Sequence, residues 1–193
     1  MNKIPTGFET MTKPFFERNL KHLSGVEGLS FLQLGVFTGS STEWLVEKIL
    51  TGEGSTLTDV DYWQDSSDVW YKDLSFSKVE EEYDFTCEKY IKDGKLIKVK
   101  NTTDSFFESL SKDTMFDFIF IDADHRADSV TKDYLNAFKH LKSGGILSFD
   151  DYEWNLHLEP EMIPRFAIDK ILIDYADQIE EIDRGWQMWI VKK

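Results

Sequence analysis

Two acidic clusters each close an apolar run. Asp122-Ala123-Asp124-His125 follows residues 116–121, and Asp150-Asp151 follows residues 146–149. Carboxylates brought close together repel one another and resist ionisation unless a counter-charge joins them. A hard divalent cation such as Mg²⁺ supplies that charge, because it takes oxygen ligands. Asp122, Asp150 and Asp151 are therefore the candidate metal ligands, provided the two runs are neighbouring strands. The alternative is helix capping and solvation in two separate loops. His125 is the lone histidine of the clusters. Its ordinary pKa near neutrality lets an imidazole take a proton from a hydroxyl. It reads equally as a structural histidine. Asp124 can orient His125 or cap the next turn.

Three further polar groups follow apolar segments. Gly35-Val36-Phe37-Thr38-Gly39-Ser40-Ser41 has two glycines, which free the backbone for close approach to a ligand. A helix N-terminus after it would offer N–H donors to a nucleoside-type ligand. The stretch lacks both the dinucleotide GxGxxG spacing and the P-loop lysine, and it also reads as an ordinary strand-to-helix turn. Asp59-Val60-Asp61 ends the next run; a carboxylate there can accept both ribose hydroxyls, Asp61 before Asp59. The other reading is surface acid. Asp104-Ser105 can meet an adenine edge, or Asp104 can cap a helix.

These residues need a scaffold that gathers them. Residues 30–34, 56–60, 95–99, 116–121 and 146–149 read as strands. The run at 116–121 is continuously apolar except for Asp117, as expected of a parallel strand covered on both faces. Helices are expected from Ser40, with Glu43 in capping-box spacing, to about Leu50; within 77–92; over 104–110; and from Asp128 to a stop at Gly144. Val130, Tyr134, Ala137, Phe138 and Leu141 form the apolar face of the last of these. Pro164 can open one more helix. Strands at 178–182 and 186–191 would close a hairpin. The alternation predicts an α/β fold: a doubly wound, mostly parallel seven-stranded sheet with a C-terminal antiparallel hairpin, binding its ligand beyond the strands' carboxyl ends.

The chain of 193 residues suits one domain, residues 1–193, with an N-terminal helix and loop over 1–28 and an acceptor-side variable segment over 62–94. Hydrophobic residues at 41% favour a packed globule over disorder. A net charge of −14 argues against nucleic acid or an anionic membrane as partner. Cys87 is the single cysteine, which fits a reducing compartment, and no apolar run reaches membrane-spanning length. The expectation is a soluble cytoplasmic protein.

Residues 31–41, 116–125 and 144–154 together resemble the class I S-adenosylmethionine (SAM)-dependent methyltransferases. More narrowly, they are similar to small-molecule O-methyltransferases of the catechol, caffeoyl-CoA and macrolide-sugar type. The resemblance implies SAM as cofactor, with Gly35 and Gly39 against its methionine part, Asp61 on the ribose, and Asp104 and Ser105 near the adenine. Gln33, Thr38, Ser40 and Asp122 complete the cofactor set. It implies Asp122, Asp150 and Asp151 as ligands of Mg²⁺ or another divalent cation, with Asp122 and His125 as the catalytic pair. The cation would lower the pKa of the attacked hydroxyl. The implied partner is a small-molecule methyl acceptor, with no nucleic acid and no membrane, and a homodimer is allowed for. Gln33 departs from the family, which commonly has an acid there. Trp63, Trp70, Tyr71 and Trp154 are candidates for an aromatic wall. Two alternatives stay open: a metal-dependent hydrolase or phosphoryl-transfer enzyme, since residues 118–124 look like a strand ending in a nucleophilic Asp-x-Asp, and a non-catalytic SAM-binding module.

Overall fold

The computed structural model describes residues 4–64 and 74–193. A π-helical turn at Phe8–Thr12 leads into α1 (Lys13–Leu20), and a 3₁₀ turn at Lys21–Leu23 ends the segment. Strand and helix then alternate: β1 (Ser30–Leu34), α2 (Ser40–Lys48), β2 (Thr56–Asp61), α3 (Phe76–Lys92), β3 (Leu96–Lys100), α4 (Thr103–Ser109), β4 (Phe116–Ile121), α5 (Ala127–Lys139), β5 (Leu141–Phe149) and α6 (Pro164–Asp174). The hairpin of β6 (Ile179–Arg184) and β7 (Met188–Lys192) finishes the chain. The sheet has seven strands in the order β3-β2-β1-β4-β5-β7-β6. All of its neighbours pair in parallel except β5 with β7 and β7 with β6.

β4 explains the layering. Phe118 and Phe120 face the layer of α1, α2 and α3, while Ile119 and Ile121 face that of α4, α5 and α6. With both faces covered, the strand can be apolar at nearly every position. Asp117 lies at the other end of the strand from the acidic cluster. It accepts from the Ser30 backbone N–H at 2.8 Å and pairs with Lys142 at 2.8 Å. On the first face Phe16 is fully buried and meets Trp44, Phe118, Phe120 and Trp189. The N-terminal helix is therefore part of the core.

Four local expectations are corrected. The capping box at Ser40 and Glu43 is absent: Gly39, in the left-handed region, holds the N-cap position without a side-chain cap. α5 stops at Lys139, before Gly144, because Leu141 pairs with Phe116 and opens β5 five residues earlier than expected. Asp128 does not cap α5; Arg126 holds the N-cap position without a side-chain cap, and Asp124 accepts its backbone N–H at 3.0 Å. α4 is likewise capped by Thr102, whose hydroxyl accepts from Ser105 N–H at 3.2 Å, and not by Asp104.

Candidate active site

The carboxyl ends of β1 to β5 open onto one cleft of about 1280 Å³. Typical ligand pockets hold roughly 300–1,000 Å³, so this one has room for two small molecules. Among its lining residues are Gly35, Thr38, Ser40, Asp61, Asp104, Asp122, His125, Asp150 and Asp151, all picked from the sequence. Gln33, Gly39 and Ser105 do not line it.

The glycine loop is held from below. Gly35 has φ +81°, and a β-carbon there would stand 2.0 Å from the Asp122 carbonyl oxygen. This glycine is needed for the close packing of β1's exit on β4's exit. Gly39 also has φ +81°, and its missing β-carbon leaves space for Cys87 and Tyr83 of α3. One Asp61 oxygen accepts from Val36 and Phe37 N–H at 2.9 and 3.1 Å, and the other from Trp63 N–H at 2.9 Å. Phe37 and Trp63 have φ values of 50° and 42°, and the Trp63 indole donates to the Phe37 carbonyl. Left-handed backbone at non-glycine residues costs on the order of 1–3 kcal/mol each and needs such external support.

Gln33 faces the interior. It is fully buried and donates to Asp59 at 2.9 Å and to Thr42 at 3.1 Å. Thr42 and Tyr83 hydroxyls donate to the other Asp59 oxygen at 2.6 and 2.9 Å. Burial lifts the Asp59 carboxyl to about 6 against the pull of those three donors. An acid at position 33 would repel Asp59, whereas an amide supplies a donor. Gln33 thus pairs with the buried acid of β2. Gln33 Oε1 finds no donor among the described residues.

At the β4 and β5 exits, the ligand atoms of Asp122, His125 and Asp151 lie within 4.8 Å of one another. His125 Nε2 is 2.7 Å from an Asp151 oxygen, and the ring stacks on Trp154 with centroids 4.6 Å apart. Asp151 has φ 57°, another strained residue at the site. Desolvation and then the charges of Asp150, Asp151 and Asp61 raise the Asp122 carboxyl well above its usual range. Desolvation opposes protonation of His125, but Asp151 and the charges of Asp124 and Asp150 outweigh it, and the imidazole pKa is raised. Asp150 turns elsewhere: it accepts from the Gln187 side chain at 3.0 Å and, loosely, from the Thr12 hydroxyl at 3.5 Å. The converging set therefore differs from the expected one by having His125 in place of Asp150. Asp124 does not orient His125; it binds Arg126 and Ser129.

Two carboxylates and an imidazole at this spacing fit a divalent cation, which would offset the burial and the neighbouring charges that lift Asp122. Sequence reading missed the N-terminal wall of Thr6, Phe8, Met11 and Thr12, and it missed Asp133. No periodicity marks the former. Asp133 is visible as an acid breaking the apolar stripe of α5. Trp63 and Trp154 lie at the cleft, while Trp70 and Tyr71 fall outside the described residues.

Sheet order, glycine loop and acidic exits define the class I SAM-dependent methyltransferase fold. Residues 32–152 match the model of a family described as a methyltransferase domain, and the chain belongs to that family. An O-methyltransferase from Bacillus cereus in complex with S-adenosylhomocysteine (SAH) superposes with TM-score 0.62 and 18% identity, over 100% of this chain and 93% of that one. The SAH-bound Podospora anserina methyltransferase gives 0.60 and 17%, over 85% and 71%. MycE of the mycinamycin biosynthetic pathway, in complex with Mg, SAH and mycinamycin VI, gives 0.60 and 15%, over 93% and 48%. At these identities the likeness is one of fold. An uncharacterized protein of Acanthamoeba polyphaga mimivirus is 36% identical over 58 residues, covering 30% of this chain and 25% of that relative's length. Among the described residues, no helix is long and apolar enough to cross a membrane.

Proposed function

We propose that the chain transfers the SAM methyl group to a hydroxyl oxygen of a small molecule, with a divalent cation, Mg²⁺ by its oxygen ligands, at Asp122 and Asp151. The observation that carries this is the convergence of Asp122, His125 and Asp151 beside the glycine loop in one cleft. SAM would supply an electrophilic methyl, and the cation would make the acceptor hydroxyl more acidic. The chain's own residues supply position and charge. Asp61 and the Gly35 turn would fix the cofactor side, and Trp154, Leu158 and Met162, which line the same cleft, would form the acceptor side. Holding the two reactants in line is a large part of the rate gain.

His125 fills one of two roles. As the third ligand it would exchange its Asp151 hydrogen bond for the cation. In the second reading Asp150 is the third ligand and His125 is the base, its Nε2–H held by Asp151 and its Nδ1, which has no hydrogen-bond partner among the described residues, taking the acceptor proton. The loose 3.5 Å contact of Asp150 with Thr12 favours that reading. The acidic composition further supports an acceptor other than nucleic acid, and we extend the reading to a cytoplasmic enzyme.

Thermal unfolding with SAH, Mg²⁺ and EDTA tests the proposal. Ligands of the native state raise the midpoint. SAH and Mg²⁺ should each do so, and the Mg²⁺ shift should vanish in Asp122→Asn. His125→Ala should erase it under the first reading, and Asp150→Asn under the second. No SAH shift in the wild type would refute methyl transfer from SAM; an SAH shift without a Mg²⁺ shift would refute the cation alone.

A further inference from the structure

Asp133 is an acid in an apolar place. On α5 the buried stripe is Ala127, Val130, Asp133, Tyr134 and Ala137, so one carboxylate interrupts the surface packed inward. Its residue is 4% exposed, yet it lines the cleft. Burying a carboxylate is costly unless it is paired, and burial lifts this one to about 6. No ion pair reaches it among the described residues. The neighbouring Lys132 is committed to Asp104, across the gap between α5 and α4. The Thr103 hydroxyl is the hydrogen-bond partner it has, at the first residue of α4.

Its place in the cleft says what could satisfy it. With the acidic exits of β4 and β5 at the methyl end and Asp61 beyond the glycine loop, the cleft continues to Asn101, Thr103 and Asp104 after β3, facing Asp133 on α5. A SAM molecule with its sulfonium at the acidic exits and its ribose at Asp61 puts its base there. An ionised carboxylate only accepts hydrogen bonds, so the ligand must bring a donor. The adenine edge brings the 6-amino group.

Resting on the SAM reading, we propose that Asp133 receives the adenine 6-amino group and sets the cofactor's base specificity, while Asp104 serves to anchor Lys132. A site built to take an N–H donor rejects an analogue that presents an acceptor instead, because the buried carboxylate is then left facing a carbonyl oxygen.

The test is titration calorimetry of the whole chain with SAH and with S-inosylhomocysteine, which has a 6-oxo group in place of the 6-amino group. The wild type should bind SAH at least about tenfold tighter. Asp133→Ala should lose about 10- to 100-fold in SAH affinity, the range for a hydrogen bond to a charged group, and little for the inosyl compound. Asp133→Asn keeps the shape, can donate to the 6-oxo group, and should narrow or reverse the preference; it carries the test if the alanine variant fails to fold. An unchanged SAH affinity in both variants, or equal losses for both ligands, overturns the assignment and leaves the SAM reading standing. Failure of both ligands to bind the wild type overturns the SAM reading itself.

Discussion

Gly35 and Asp122 are in backbone contact: a β-carbon on the glycine would lie 2.0 Å from the Asp122 carbonyl oxygen and 2.5 Å from its carbonyl carbon. The cofactor loop and the start of the acidic cluster are thereby one rigid unit. Their strands, β1 and β4, are adjacent and parallel, with Leu34 opposite Ile121. A substitution at Gly35 must displace the Asp122 backbone, and Asp122 is a ligand in both metal readings.

Gly35→Ala should therefore fail twice. The left-handed φ and the overlap together cost at least about 2 kcal/mol of stability. Any variant that still folds should lose the SAH-induced and the Mg²⁺-induced thermal shifts together. Calorimetric scans with each ligand check this; a variant keeping either shift at full size would show that the two sites are independent.

Trp154 fixes His125 by stacking at 4.6 Å with a 23° interplanar angle. It lies outside the converging ligand set. Trp154→Ala should leave SAH affinity within about twofold and lower kcat by about tenfold or more, the cost of misplacing a positioned group. Steady-state kinetics with an identified acceptor separates kcat from KM. A loss confined to KM for SAM would place Trp154 on the cofactor instead.

How far the sequence could be read follows from where each side chain's fate is decided. Phe116–Ile121 was legible because burial on both faces leaves its mark within six consecutive residues. Asp61 and Asp122 were legible because strand ends in a parallel sheet share one edge. The orientation of Asp150 was not, since Gln187 on β7 and Thr12 before α1 decide it. Gln33 was read toward the cofactor because its neighbours in sequence line the cleft. Its partners, Asp59 and Thr42, come from two other elements, β2 and α2. The N-terminal wall of the cleft has no periodic signal, and only the packing of Phe16 reveals why that segment stays in place.

Phe16 gives that packing a measurable size. It is fully buried among Trp44, Phe118, Phe120 and Trp189, with centroids between 5.1 and 6.0 Å. Phe16→Ala should cost about 3–5 kcal/mol, transfer and cavity terms together. Urea unfolding measures it. A loss below about 1 kcal/mol would mean that the N-terminal helix is not docked on the sheet in solution.

Asp59 should leave a pH signature of its own. Its carboxyl titrates at about 6 in the fold, chiefly through burial, against about 3.9 in an unfolded chain. The folded state therefore holds the proton more tightly. Stability from this group is fully present below about pH 4 and is lost as pH rises through about 6, by up to about 3 kcal/mol. Asp59→Asn has no such proton, and its amide fits the same space between Gln33, Thr42 and Tyr83. The unfolding free energy of the variant minus that of the wild type should thus rise between pH 4 and pH 7. Taking the difference cancels the titration of acids that Asp59 does not touch, Asp133 included. Urea unfolding of both proteins at intervals across that range gives the curve. A difference that stays flat would mean that Asp59 titrates normally and that its three donors fully offset its burial.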